Sequence, residues 1–308
     1  MSASKDRLRW NEVPESTRAA IEALVGGRVA NAENRAGGFS PGLASRLTLD
    51  DGRRVFVKAM DGDAWPLECA AYRTEALVVR SLPASVPAPA FIGSFDDGRW
   101  VVLALEAVDG VPPDEPWDQE TLARAVSAAV ELTEAVTPSP VALPREHPRL
   151  GGWTELAADA TGLARLAEVS TWATDNLSDL VVLELDGLAA AQGPSLVHFD
   201  LYPHNMLLTA DRIVFVDWPH ARLGAPIVDL IMLLSSAAAD GIDPEPFLQT
   251  YAAAADPFAV DAILAAHAGF LLAGGLLPIP PGLEAIAAAK CRLGRGAVAW
   301  LERRRRHR

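Results

Sequence analysis

A histidine, an aspartate and an asparagine fall at the spacing H-x-D-x-x-x-x-N in LVHFDLYPHNMLL, as His198, Asp200 and Asn205. Twelve residues beyond Asn205 a second aspartate, Asp217, closes the four-residue apolar run Ile213–Val216. Far upstream, Lys58 lies in VFVKA, a strand-like run with apolar neighbours. Aspartate and asparagine oxygens are hard ligands suited to Mg²⁺, a cation that keeps several waters and is usually shared with substrate phosphates. One carboxylate and one amide are too few to hold such an ion alone, so phosphate oxygens must complete its shell. A separate carboxylate is then free to accept the proton of an attacking hydroxyl. Lysine supplies a point charge for phosphate oxygens. The backbone amides of GGFSPG, residues 37–42, can approach closely because glycine lacks a Cβ. Phosphoryl transfer asks for positioning and charge neutralisation more than covalent chemistry, and these side chains suit it.

The elements that must position these residues change character along the chain. Arg28–Glu33, Leu43–Leu49 and Arg53–Ala59 read as short strands, the last two joined at Asp51-Gly52, a strong hairpin signal. Val55 and Val57 alternate with Phe56 and Lys58. A helix is expected from Pro66, a first-turn proline, to Leu82, where Pro83 stops it. Strands around Phe91–Phe95 and Trp100–Leu105 flank a second turn at Asp97-Gly98, making five strands and one helix in the first hundred residues. Beyond Val108-Asp109-Gly110 come alanine- and leucine-rich amphipathic segments, at 118–136, 153–168, 170–191, 226–238, 245–255, 258–274 and 282–302. Three short apolar pieces, Ser195–Val197, Met206–Leu208 and Ile213–Val216, interrupt them. A small sheet-rich lobe joined near 104–110 to a larger helical lobe is the implied architecture.

The 308 residues carry a net charge of −13, unevenly spread. Residues 1–100 hold 13 acidic and 13 basic side chains, residues 101–302 hold 27 and 9, and the last six, RRRRHR, return five arginines. An acidic half repels nucleic-acid backbones and attracts cations, which argues against a nucleic-acid partner. Cys69 and Cys291 are too few and too isolated for a disulfide framework or a zinc site, and a reducing, cytoplasmic setting is expected. The polar N-terminal stretch has no apolar core of a secretory signal. The apolar stretch Ala262–Leu277 is short for a membrane span and contains His267 and paired glycines, so it reads as a buried helix, with no membrane partner. No G-x-x-x-x-G-K-[ST] phosphate loop occurs.

GGFSPGLASRL, FVKA, YRTEALVVRSLP, LVHFDLYPHN and VDWPHARLGAPIVDL together resemble the aminoglycoside phosphotransferase family. That family is similar to choline and fructosamine kinases and, more distantly, to protein kinases. The similarity runs from about Gly38 to Leu230. It implies an α+β, bilobal protein-kinase-like fold: an N-lobe over residues 1–105, with an antiparallel sheet and one key helix, and a larger, mainly helical C-lobe over 106–308. It implies transfer from ATP or GTP with Mg²⁺. Lys58 would meet the α- and β-phosphates, held by a helix glutamate, Glu75 or its rival Glu68 seven residues earlier. Gly38 and Ser40 would lie against the nucleotide, as would main-chain groups from Glu106 to Val108. Asp200 would be the catalytic base, and Asn205 and Asp217 would bind Mg²⁺. His198 and Asp229 would support the site structurally. Leu-Tyr-Pro-His between Asp200 and Asn205 departs from the glycine- or arginine-containing versions of this family, which bears on the substrate more than on the reaction.

The resemblance and the acidic C-terminal half together point to a cationic small-molecule acceptor, an aminoglycoside-like antibiotic or related natural product, and so to antibiotic resistance. Asp159, Asp175, Asp179, Asp240, Asp243 and Glu245 are acidic candidates for contacting it. Trp117, Trp153, Trp172 and Trp218 read first as core or lobe-packing residues, with lining of the pocket the alternative for Trp153 and Trp172. Alternatives within the enzyme class are choline, a sugar or fructosamine, homoserine, a macrolide or a nucleoside antibiotic. Outside it stands a non-catalytic, nucleotide-binding pseudokinase regulator.

Overall fold

Alternation along one central strand decides which face of the sheet carries chemistry. The computed structural model describes residues 7–35, 41–144 and 149–306. The chain divides into two compact units, Met1–Val111 with Leu207–Ala221, and Pro112–Met206 with Arg222–Arg308. The segment carrying Asp217 groups with the first unit. Gly38 and Ser40 lie outside the described residues.

The first unit begins with helix α1 (Glu15–Val25), an element absent from the sequence expectation. It buries Thr17, Ile21 and Val25, a stripe with a four-residue period. Strands β1 (Val29–Asn34), β2 (Leu43–Leu49) and β3 (Arg54–Asp61) follow, then helix α2 (Pro66–Ser81) and strands β4 (Phe91–Asp96) and β5 (Trp100–Glu106). The five strands form one antiparallel sheet in the order β1-β2-β3-β5-β4. Val55, Val57 and Ala59 of β3 join a core with Ile21 and Val25 of α1. Met60 joins a second cluster with Cys69 and Tyr72 of α2. The two-residue period of a strand therefore places Lys58 on the α2 side, opposite Ala44 of β2 and Leu103 of β5. Gly42, at the foot of β2, permits the close approach there. A Cβ on it would lie 2.5 Å from the Ala59 carbonyl oxygen.

The chain then enters the second unit with α3 (Gln119–Ala135), α4 (Trp153–Ala158), α5 (Ala160–Val169), α6 (Thr171–Asp175) and α7 (Leu177–Ala190), followed by β6 (Ser195–Val197). The segment expected as one helix over 153–168 is two, because Asp159 caps the second by accepting the Gly162 amide at 2.6 Å. Strands β7 (Met206–Leu208) and β8 (Ile213–Phe215) form a two-stranded sheet that belongs largely to the first unit. Leu208 and Val111 exchange backbone bonds of 2.7 and 3.1 Å, and Phe215 N–H donates to Pro87 O at 2.7 Å. Strand β9 (Arg222–Gly224) pairs antiparallel with β6, and α8 (Val228–Ala239), α9 (Glu245–Ala252), α10 (Pro257–Leu276) and α11 (Glu284–Arg306) complete the second unit.

Helix α10 is long and apolar enough to cross a membrane by length and composition, and most of it is buried inside the unit. It packs on α7 and α11. Gly187 of α7 makes that approach possible, since a Cβ there would fall 2.1 Å from the Ala262 carbonyl oxygen. Trp153 is fully buried and its indole N–H donates to Ala265 O at 2.8 Å, so it is a core residue, the first of its two expected roles. Cys69 and Cys291 are free thiols.

Candidate active site

In the first unit, Lys58 is held at the centre of a three-charge cluster. Its Nζ donates to both carboxylate oxygens of Glu75 at 2.6 and 2.7 Å and to Asp217 Oδ1 at 2.5 Å. Glu75 is fully buried on α2, one turn beyond Tyr72, whose ring centroid lies 5.9 Å from Nζ. Glu68, two turns earlier along the same helix, is about 10 Å away by helical rise, and Lys58 pairs with Glu75. The Trp218 amide also donates to Glu75, at 3.2 Å, so the glutamate braces both Lys58 and the turn beside Asp217. Burial alone would lower the Lys58 pKa, but the Asp217 and Glu75 carboxylates outweigh it and hold the amine above the ordinary lysine range. Asp217 itself is 48% exposed at the side chain.

At the end of β5, the Glu106 amide donates to Ala90 O at 2.9 Å and the Glu106 carboxylate accepts the Ala90 amide at 3.1 Å. The Val108 carbonyl accepts Arg46 at 2.9 Å. Of the main-chain groups expected to meet a nucleobase, the Glu106 amide and the Val108 carbonyl already have partners within the protein.

In the second unit, strand β6 delivers the chain into a loop anchored by the first turn of α8. Asp229, buried there, accepts the His198 and Phe199 amides at 2.8 and 3.0 Å. Burial pushes the Asp229 pKa up to about 7, against the pull of those two amides and with Asp200 raising it further. Phe199 sits at φ 61° and Asp217 at φ 69°, and among the described residues these are the two non-glycine positions with left-handed backbone. Such conformations cost roughly 1–3 kcal/mol and persist where the surroundings over-determine them, often at functional sites. One immediately precedes Asp200, and the other is Asp217.

Asn205 is buried, and its Nδ2 donates to the Asp200 carbonyl at 2.8 Å and to Asp200 Oδ2 at 2.7 Å. Both partners are acceptors, which identifies the amide nitrogen and leaves Oδ1 as the atom able to ligate a cation. His204 Nε2 lies 3.8 Å from Asp200 Oδ2. The buried Tyr202 hydroxyl meets His267 Nε2 of α10 at 3.2 Å, and burial drives the His267 pKa down to about 3, keeping that ring neutral. Lys290 of α11 stands 4.3 Å above the Phe270 ring and within electrostatic reach of Asp200, with burial lowering its pKa. Among the described residues no group of three or more His, Cys, Asp or Glu side chains is placed to hold a metal by itself. The donors that suit Mg²⁺ are the half-exposed Asp217 carboxylate of the first unit and the Asn205 amide oxygen of the second.

Several acidic substrate candidates are already engaged. Asp240 pairs with Arg292 at 2.6 Å, Glu245 with Arg304 at 2.6 Å, and Asp159 caps α5. Asp175 and Asp179 are exposed on α6 and α7. Sequence reasoning did not single out Tyr72 or Lys290. Tyr72 alone left a signal, one helical turn before Glu75.

Known proteins place the chain among phosphotransferases. Protein LicA of Haemophilus influenzae is 37% identical over 54 residues, which is 18% of this chain and 20% of that protein, so the chain spans about a fifth of the curated relative it matches. A solved spectinomycin phosphotransferase, in complex with ADP and spectinomycin, superposes with a TM-score of 0.62 at 13% identity, covering 93% of this chain and 98% of its own. An aminoglycoside phosphotransferase from Alicyclobacillus acidocaldarius superposes at 0.60 with 17% identity, covering 91% and 92%. A choline/ethanolamine kinase family protein from Mesorhizobium loti does so at 0.58 with 17% identity, covering 94% and 99%. These likenesses establish the α+β, protein-kinase-like fold. The model of the phosphotransferase enzyme family matches residues 33–267, most of the chain, which therefore belongs to that family.

Proposed function

We propose that the chain moves the γ-phosphate of ATP, with GTP as the alternative donor, onto a hydroxyl of a cationic small molecule of the aminoglycoside type. The observation that carries the reaction is the Lys58 ammonium fixed by Glu75 and Asp217. A lysine anchored on a central strand by a fully buried glutamate is a rigid point charge, suited to the α- and β-phosphates of a nucleotide. Asp217 and Asn205 would hold Mg²⁺, which when bound neutralises phosphate oxygens. Asp200 is the base: Asn205 donates to its Oδ2 and fixes the carboxylate that would orient the acceptor hydroxyl and take its proton. Asp229 acts on the loop backbone, accepting the His198 amide, and His198 would support the loop structurally. Solved relatives that hold ADP with spectinomycin, or ADP with hygromycin B, support a nucleotide donor and a small-molecule acceptor.

For the acceptor, Asp175, Asp179 and Asp243 are the exposed acidic candidates. The test is Mg²⁺-dependent turnover of ATP and GTP over cationic antibiotics, choline, sugars, nucleosides and macrolides, with Asp200→Ala as control. Loss of a general base lowers turnover about 10²–10⁴-fold, while nucleotide affinity should stay close to that of the parent. Wild-type turnover in Asp200→Ala would refute the base. Transfer only to neutral or anionic acceptors would overturn the cationic assignment and leave the reaction standing. Nucleotide binding without turnover on any acceptor would instead favour a non-catalytic regulator.

A further inference from the structure

Ahead of α1, a short N-terminal strap is tied to the end of β1 and to the residue that leads into Gly42 and β2. The Leu8 amide donates to Pro41 O at 3.1 Å, and the Leu8 carbonyl accepts Asn34 Nδ2 at 3.3 Å. Asn34 ends β1, and Pro41 leads into β2. Asn34 is itself fixed, since Ser45 Oγ of β2 donates to its Oδ1 at 2.5 Å. The Leu8 side chain packs against the core that contains Trp10, Leu43 and Ala59. Leu43 pairs with Ala59, the residue after Lys58, so the strap runs beside the strands that present the lysine.

These anchors fix the residue before Leu8. Arg7 is half-buried, and its Nε is enclosed without a hydrogen-bond partner. It lies within electrostatic reach of Tyr72 and Asp217, two residues that also surround the Lys58 ammonium, and of Arg35. Burial pulls its pKa below the ordinary arginine range against the influence of Tyr72 and Asp217. An enclosed N–H donor without an acceptor is costly, and a guanidinium presents its donors as a planar fork that matches phosphate oxygens. The Lys58 cluster alone sets one cation against two carboxylates, a poor balance for a polyanion.

We propose that Arg7 is a phosphate-binding residue, donating from this strap to the polyphosphate of the bound nucleotide. The proposal rests on the reading that the Lys58 cluster receives a nucleotide. It assigns residues 7–9 a role in nucleotide capture and makes the strap part of the phosphate site.

Calorimetric titration of the full chain with adenosine, ADP and a non-hydrolysable ATP analogue, all with Mg²⁺, tests it. Arg7→Ala should weaken the analogue and ADP about ten- to hundredfold and leave adenosine unchanged. Arg7→Lys, which keeps charge but not the fork, should recover part of the loss. Asn34→Ala keeps the arginine and cuts one anchor, so it should show the same selectivity in weaker form, and it carries the test if Arg7→Ala folds poorly. Analogue affinity within about twofold of wild type in both alanine variants would overturn the proposal, as would equal losses for adenosine and the analogue. Wild type that binds no nucleotide would overturn the nucleotide reading itself, an outcome distinct from normal wild-type binding that Arg7→Ala leaves untouched.

Discussion

Asp229→Ala removes a buried carboxylate and strands the two amides that it accepts, those of His198 and Phe199. Each buried donor left without a partner costs about 1–3 kcal/mol, so the second unit should lose roughly 2–6 kcal/mol. The same bonds hold Phe199 in its left-handed conformation, and releasing it would re-aim the following residue, Asp200. Asp229→Asn keeps one acceptor oxygen and should lose about half as much, roughly 1–3 kcal/mol. Guanidinium unfolding at pH 5 measures both. The pH dependence follows from the same burial. The folded Asp229 pKa, about 7, lies above its unexposed-to-burial value of 3.8, so this carboxyl contributes stability that is fully present below the lower value. That contribution is lost as pH rises through the upper one. The stability gap between wild type and Asp229→Asn should therefore narrow from pH 5 to pH 8. An Asp229→Ala protein within about 1 kcal/mol of wild type, or a gap that widens toward pH 8, would refute the view that these bonds hold the loop.

Asp217→Ala should abolish the Mg²⁺-dependent part of nucleotide affinity and spare the Mg²⁺-free part; equal losses in the two titrations would show that Asp217 acts only through Lys58. Gly187→Ala puts a methyl group against the Ala262 carbonyl and forces α7 from α10, at an overpacking cost of about 1–3 kcal/mol that exceeds the gain in helix propensity of up to about 1 kcal/mol. Its melting temperature should fall, and an unchanged or higher value would mean that α7 shifts freely.

Much of this protein was legible in its sequence because the relevant signals are local. The Asp51-Gly52 turn marks the β2–β3 hairpin, and the alternation of Val55 and Val57 with Lys58 tells which side of β3 faces α2. The alanine-rich helices of the second unit announce themselves by period. What stayed hidden depended on long-range placement. α1 carries only a three-residue buried stripe, too brief to stand out in a charged N-terminal stretch. The choice of Glu75 over Glu68 requires knowing where α2 crosses β3, which spacing along one helix cannot supply. Arg7 is one arginine in a charged leader, and only the bonds of Leu8 to Asn34 and Pro41 give it a place.

The backbone at Phe199 and Asp217 carries this reasoning one step further. No composition rule assigns a left-handed conformation to a phenylalanine, since its Cβ opposes it. It occurs where two amides in succession are claimed by one carboxylate, and Asp229 makes that claim. Asp217 shows the parallel arrangement. Its own carboxylate is drawn to Lys58 while the amide of the next residue, Trp218, is drawn to Glu75. In both places a buried acid one helix away dictates the backbone of a residue at, or beside, the proposed chemistry. Asp229 and Glu75 each fix a peptide turn, and the turn aims Asp200 or Asp217. Residues with no contact to substrate are then as constrained as those that would touch it.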